Sequence, residues 1–272
     1  MTKLVDGEDF SIIAKNKICY VTLSSPSTRN AISLRMASIM QSICVAKESN
    51  ESLFEKFLID QNCHLIVLQS DVEGIFSSGG NLIELQKNPA EVCHHYGPSI
   101  RAFCQLLHNF KIPSLSVLAG PSYGGGVEIA LATDFRWSIG KNCDFHFTQT
   151  KFGIPPGWGG SLRLSELCPQ LNPKKVSALI LGKMKLDLSQ MLYMGLVDKE
   201  FQNKKACMNA IEDWVNQISD CPKSVRDDLL DRQSFHNFQE LEEYDIQTFN
   251  KYFLKDEHKK KIADFMKNKK KK

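Results

Sequence analysis

The chain has 272 residues, 42% of them hydrophobic, and a formal net charge of +3, which provides for a sizeable core and excludes a wholly disordered chain. Much of the positive excess gathers at Lys267, Lys269, Lys270, Lys271 and Lys272. No aromatic residue is interleaved there for base stacking, so this reads as a solvated terminus, and no nucleic-acid partner is expected. No apolar run reaches the length that spans a bilayer. Nine cysteines are scattered singly with no CxxC pair, which argues against a zinc site or a disulfide framework and favours a reducing compartment. The opening MTKLVDGEDFSIIAKNK resembles neither a secretory signal nor an Arg-rich transit peptide, so a cytosolic address is expected.

In chain order, ICYVTL (Ile18 to Leu23) predicts a strand ended by the Ser24–Ser27 stretch with Pro26. Between Ile32 and Ala46, Ile32, Met36, Ile39, Met40 and Ile43 recur at helical spacing, with Ser33 as a cap within the first turn. HLIVLQ (His64 to Gln69) is a continuous apolar run, as expected of a strand covered on both faces. A glycine-bearing turn at Phe76 to Gly80 precedes a helix over about Ser99 to Phe110. Ser114 to Leu118 is a third strand, Gly124-Gly125-Gly126 opens a helix over Val127 to Thr133, and Asp144 to Thr148 is strand-like. The loop GIPPGWGG (Gly153 to Gly160) leads into helical stretches to about Ile218, then a charged, helical last part with Trp214, Phe235, Phe249 and Phe253. This order predicts an α/β fold with sequential crossovers. No internal repeat is visible. The expected division is a core over 1–219, a helical segment over 220–266 and a basic, disordered tail over 267–272.

Two glycine turns each follow a buried-strand signal: Phe76-Ser77-Ser78-Gly79-Gly80 and Tyr123-Gly124-Gly125-Gly126. Glycines there let backbone approach a ligand and aim free N–H groups at negative charge. Two such turns on neighbouring strands form an oxyanion hole if both N–H groups meet one oxygen. Either turn alone is equally well explained by tight helix–strand packing. A dinucleotide G-x-G-x-x-G after the first strand, a P-loop and a G-x-S-x-G elbow are all absent from the sequence.

Five segments together carry a family resemblance: SPSTRNAIS (Ser25 to Ser33), FSSGGNL (Phe76 to Leu82), PSLSVLAGPSYGGGVEIALATDFR (Pro113 to Arg136), GIPPGWGGSLRL (Gly153 to Leu164) and LILGKMKLDLSQMLYMGLVDK (Leu179 to Lys199). In this order they resemble the crotonase (enoyl-CoA hydratase/isomerase) superfamily. The resemblance implies a spiral of repeated ββα units with a C-terminal helical trimerisation segment, hence a homotrimer or hexamer. It also implies an acyl-CoA thioester substrate with no further cofactor and no metal. The thioester carbonyl would be polarised by the N–H groups of Gly80 and Gly125, with Ser78, Gly124 and Trp158 lining the substrate site and the turn at Ser78 facing the adenine of CoA.

Hydratases of this family use two glutamates. The first matches Glu128; the second position, four residues before Gly153, holds Gln149. An amide cannot exchange a proton as a carboxylate does, which counts against hydration and against double-bond isomerisation. Loss of CO2 from a malonyl-type thioester needs no general base, and within the superfamily the segments resemble the ethylmalonyl-CoA decarboxylases most. That resemblance implies a carboxy-lyase acting on ethylmalonyl-CoA or methylmalonyl-CoA, a form of metabolite repair. The departures are Gln149, where those enzymes carry a His, and Asn81, which replaces an Asp. Gln149 is then expected to orient the substrate carboxylate, and Glu128 to donate the proton if burial raises its pKa. The alternatives are an enoyl-CoA hydratase or isomerase, and a catalytically silent CoA- or RNA-binding protein of the same fold. His94 and His95 are expected on the surface, and His146 in a structural place between Phe145 and Phe147.

Overall fold

The apolar runs become strands because each buries side chains on both faces. The computed structural model describes residues 1–45, 51–89 and 93–230, with Gln247, Lys251 and Lys260 as single further positions. Ala46, Phe235, Phe249, Phe253 and the lysine run from Lys267 lie outside the described residues, as does most of the 220–266 segment.

Strands β1 (Thr2–Asp6) and β2 (Phe10–Lys15) precede a unit of long strand, short strand and helix that recurs along the chain. It runs first as β3 (Ile18–Leu23), β4 (Ala31–Ile32) and α1 (Leu34–Cys44), with α2 (Leu53–Asp60) appended. It recurs as β5 (Leu65–Ser70), β6 (Gly79–Gly80) and α3 (Leu82–Lys87), followed by α4 (Tyr96–Asn109). The third round is β7 (Ser114–Leu118), β8 (Ser122–Tyr123) and α5 (Gly125–Ala130); the fourth is β9 (Phe135–Ile139), β10 (Phe145–His146) and α6 (Gly160–Leu167). Then come α7 (Pro173–Leu181), β11 (Lys185–Leu186), α8 (Leu188–Met194), β12 (Lys199–Phe201), α9 (Lys204–Ser219) and α10 (Lys223–Leu230).

The long strands form one sheet in the order β1-β2-β3-β5-β7-β9-β12, antiparallel over its first two pairs and parallel from β3 onward. The short strands form a second layer, β4-β6 and β8-β10-β11, linked by a bridge between Ser77 and Ser122. Alternation sorts the apolar residues of the large sheet between two cores. Ile18, Leu65, Val67, Leu115, Val117 and Trp137 meet Cys207, Ile211 and Val215 of α9. Cys19, Val21, Ile66, Leu68 and Leu118 face the other helices and the small strands. Each buried Leu, Ile or Val contributes about 1.5–3 kcal/mol. The residues divide into two units, 1–215 and 216–272, and the described part of the second is 216–230, which holds the end of α9 and α10, with the single positions Gln247, Lys251 and Lys260.

Several expected elements shift at their ends: the helix expected over Val127 to Thr133 runs from Gly125 to Ala130, and the strand expected over Asp144 to Thr148 is Phe145–His146. Ile32 belongs to β4, and Ser33 is the N-cap of α1, accepting from Met36 N–H at 3.1 Å. The middle helix begins at Tyr96, three residues before the expected Ser99. The periodicity misses β1, β2, β9, α2 and α3, and the stretch expected as helical to about Ile218 also holds the strands β11 and β12; Ser52 and Glu55 start α2 as a reciprocal capping box. No helix among the described residues is long and apolar enough to cross a membrane.

Candidate active site

The second layer brings the two glycine turns together. β6 lies beside β4, and Ser77 just before it bridges to β8, so FSSGG and YGGG become neighbours. Gly79 takes φ +91°, a backbone that favours glycine, and a Cβ there would lie 2.6 Å from the Tyr123 carbonyl oxygen and 3.1 Å from Gly125 N. The N–H groups of Ser78 and Asn81 go to the Arg29 and Ile32 carbonyls. Asn81 N–H faces β4, and alternation along the strand sets the preceding Gly80 N–H on the opposite side. Gly124, at φ +50°, is the N-cap residue of α5 and gives its N–H to His146 O at 2.9 Å. Gly125 is the first residue of α5, so its N–H has no carbonyl inside the helix to reach. Gly80 and Gly125 are both half-buried and stand on adjacent turns.

A polar hub that sequence reading passed over holds the first turn in place. Asn30, fully buried in the left-handed region at φ 57°, accepts from Ser25 N at 2.8 Å and donates to Ser70 Oγ at 2.7 Å and the Phe76 carbonyl at 3.0 Å. Its own carbonyl accepts from Ser77 Oγ. Ser78, half-buried, donates its hydroxyl to the Thr28 carbonyl. An Asn among turn residues that has to sit at positive φ is a readable signal in retrospect.

Glu128, one turn into α5 and 3% exposed, faces four donors. Its Oε2 accepts from Trp158 N at 2.7 Å and Gly160 N at 2.9 Å, and its Oε1 from Gln149 Nε2 at 3.1 Å and Gly157 N at 3.3 Å. Such a set suits a carboxylate that binds a loop; a protonated carboxyl would point its hydrogen at a donor. Because Glu128 only accepts, it fixes the amide of Gln149 with Nε2 inward. Gln149 Oε1 is left buried with no hydrogen-bond partner. One N–H of the Gln149 amide expected to hold a substrate carboxylate is thus engaged by Glu128.

Trp158 sits on the glycine pair. A Cβ on Gly125 would fall 2.1–2.7 Å from three atoms of its six-membered ring, and one on Gly80 would fall 3.9 Å from its Cζ2. Tyr96 completes this wall, edge-on to Trp158 at 5.9 Å and 70°, with its hydroxyl given to the Ile32 carbonyl at 2.6 Å. Burial pushes that phenol well above its ordinary range, so it stays neutral. Tyr96 carries no local signal in the sequence. Gly80, Gly124, Gly125, Glu128, Gln149 and Trp158 are thereby brought together, with Ser78 on the same turn as Gly80. His94 and His95 are exposed and stack on each other, while His146 is half-buried and stacks on Tyr123 at 4.3 Å.

The two-layer spiral matches solved crotonase-fold structures. An enoyl-CoA hydratase from Bacillus anthracis superposes with a TM-score of 0.76 at 20% identity over 96% of both chains. A putative enoyl-CoA hydratase from Thermobifida fusca, in complex with acetoacetyl-CoA, gives 0.72 at 17% identity, covering 89% of this chain and 93% of that one. A family model described as enoyl-CoA hydratase/isomerase matches residues 14–272. The chain belongs to that family, within the crotonase superfamily. Among its relatives, a probable mitochondrial enoyl-CoA hydratase 2 from Arabidopsis thaliana is 32% identical over 217 residues, 79% of this chain. The ethylmalonyl-CoA decarboxylase of Bos taurus is 26% identical over 213 residues, 75% of this chain. The matches span 65% and 63% of those two proteins' own lengths.

Proposed function

We propose that the chain is an acyl-CoA carboxy-lyase that removes CO2 from short branched malonyl-type thioesters such as ethylmalonyl-CoA or methylmalonyl-CoA. The observation that carries this reading is the state of the two acid–base positions. Glu128 is engaged by four N–H donors, and Gln149 is an amide. Neither is a free base for activating water or abstracting an α-proton. What remains is a pair of N–H groups suited to an oxyanion.

In this reading the substrate's Cα–carboxylate bond breaks and CO2 leaves. The bonding electrons pass into the thioester carbonyl, whose oxygen becomes an enolate held by Gly80 N–H and Gly125 N–H. Return of the electrons to Cα with one proton gives the saturated acyl-CoA. That proton comes from water, because Glu128 is committed to the loop; the unpaired Oε1 of Gln149 is an acceptor suited to holding such a water.

Hydration or isomerisation of an enoyl-CoA is the second reading, favoured by the hydratase relative at 32% identity. Assaying CO2 release from ethylmalonyl-CoA and methylmalonyl-CoA beside crotonyl-CoA hydration separates the two. Decarboxylation without hydration is expected. Hydration of crotonyl-CoA with no CO2 release would overturn the proposal.

A further inference from the structure

The wall beside the oxyanion pair is held more tightly than packing alone requires. Both peptide groups around the Trp158 Cα are tied to buried or anchored side chains. Its N–H donates to Glu128 Oε2 at 2.7 Å, and its carbonyl accepts from Arg163 Nη1 at 2.7 Å. Arg163 is itself buried and its guanidinium lies against Gly159, where a Cβ would fall 2.6 Å from Nη1. The preceding carbonyl of Gly157 accepts from Arg101 Nε of α4 at 2.9 Å. With the backbone fixed on both sides, the indole has only its two χ angles, and the edge contact with Tyr96 restrains those.

The ring so fixed lies against Gly125 and reaches Gly80. A thioester oxygen placed between those N–H groups puts its carbonyl carbon next to the two aromatic rings. Substituents extending from that carbon on this side meet Trp158 and Tyr96 within a few bonds. Moving the indole aside about its χ angles breaks its edge contact with Tyr96.

We propose that Trp158 is a specificity-determining residue that caps the acyl group at a short length. The ligands it admits are CoA thioesters with a short acyl backbone or α-branch, and those it excludes are medium and long linear acyl chains. This rests on the reading above that a thioester oxygen sits between Gly80 and Gly125, but it does not depend on which reaction follows.

The test uses saturated thioesters, which carry neither a malonyl carboxylate nor a double bond to react. Butyryl-CoA and octanoyl-CoA are titrated calorimetrically into the full chain and into Trp158→Phe and Trp158→Ala. The unsubstituted chain is expected to bind butyryl-CoA at least tenfold tighter than octanoyl-CoA. Trp158→Ala is expected to narrow that ratio at least tenfold, with Trp158→Phe in between. Circular dichroism confirms folding; if the Ala variant does not fold, the Phe variant and Trp158→Leu carry the comparison. Equal affinity for the two thioesters in the unsubstituted chain, or a ratio unmoved in folded variants, would overturn the proposal. Binding of neither would overturn it together with the oxyanion reading. A size preference without CO2 release would sink the decarboxylase reading alone.

Discussion

Removing the Glu128 carboxylate should release the 157–160 loop from α5. Three backbone N–H groups converge on it, those of Gly157, Trp158 and Gly160 at 3.3, 2.7 and 2.9 Å, and the Gln149 amide adds a fourth donor. In Glu128→Ala, the Trp158 and Gly160 N–H groups lose their buried acceptor. An orphaned buried donor costs about 1–3 kcal/mol, so the variant should lose about 4 kcal/mol for the pair. Glu128→Gln should lose about half as much, because the unpaired Gln149 Oε1 can turn to meet the new amide while one oxygen still serves Trp158 and Gly160. Urea unfolding gives the totals, with the slope m checked for constancy. Amide hydrogen exchange localises the loss, and the Trp158 and Gly160 amides should exchange more than a hundredfold faster in Glu128→Ala. An Ala variant within about 0.5 kcal/mol of the parent, with those amides still protected, would refute the clamp and return Glu128 to the list of candidate acids.

Three further outcomes follow from the geometry. Gly125→Ala drives a methyl into the indole at 2.1–2.7 Å and should destabilise by about 1–3 kcal/mol; adding Trp158→Ala should recover part of that, and simple additivity in the double-mutant cycle would contradict the contact. His146 is held below its ordinary 6.5 first by burial, with Lys185 and Lys151 adding to the fall and Asp144 opposing it. The unfolded chain therefore takes up that proton first, so stability is complete above pH 6.5 and declines as pH falls through the lower folded value; urea midpoints measured from pH 7 to 5 should fall less steeply in His146→Phe, and an unchanged slope counts against the assignment. Cys19, Cys63, Cys104, Cys143, Cys168 and Cys207 are buried, and burial pushes the half-buried Cys44 up to about 12. Thiol titration at pH 8 should therefore find fast reaction only at Cys93 and Cys221 until the chain unfolds, and a third fast thiol would contradict that burial.

Much of this site was legible in the residues because close backbone approach demands glycine. A Cβ would fall 2.6 Å from the Tyr123 carbonyl oxygen at Gly79, 2.9 Å from Thr148 Oγ1 at Gly124 and 2.1 Å from the Trp158 ring at Gly125, while at Gly80 the nearest atom is the Tyr96 hydroxyl at 3.2 Å. The strands at Ile18–Leu23 and Ser114–Leu118 were readable for a similarly local reason, being short apolar runs between breakers. What escaped was non-local. The strand–strand–helix unit recurs in the backbone with no repeat of residue type, since each round buries different side chains in the same two layers. β9, whose FRWSI contains a charged residue, is a central strand because Arg136 spends its guanidinium on the Leu196, Thr133 and Asp134 carbonyls. The parts of Asn30 and Tyr96 arise from partners distant in sequence. Glu128 lies beside Gln149, but its three other donors come from a loop about thirty residues on, which no spacing announces.

In the proposed reaction two N–H groups, those of Gly80 and Gly125, meet one thioester oxygen. Isotope-edited infrared difference spectroscopy of butyryl-CoA carrying carbon-13 at the thioester carbonyl reads this directly in the bound state. A carbonyl band that moves to lower frequency on binding, as two added hydrogen bonds require, is the predicted result. A bound thioester whose carbonyl absorbs where it does free in water would contradict the oxyanion site at Gly80 and Gly125.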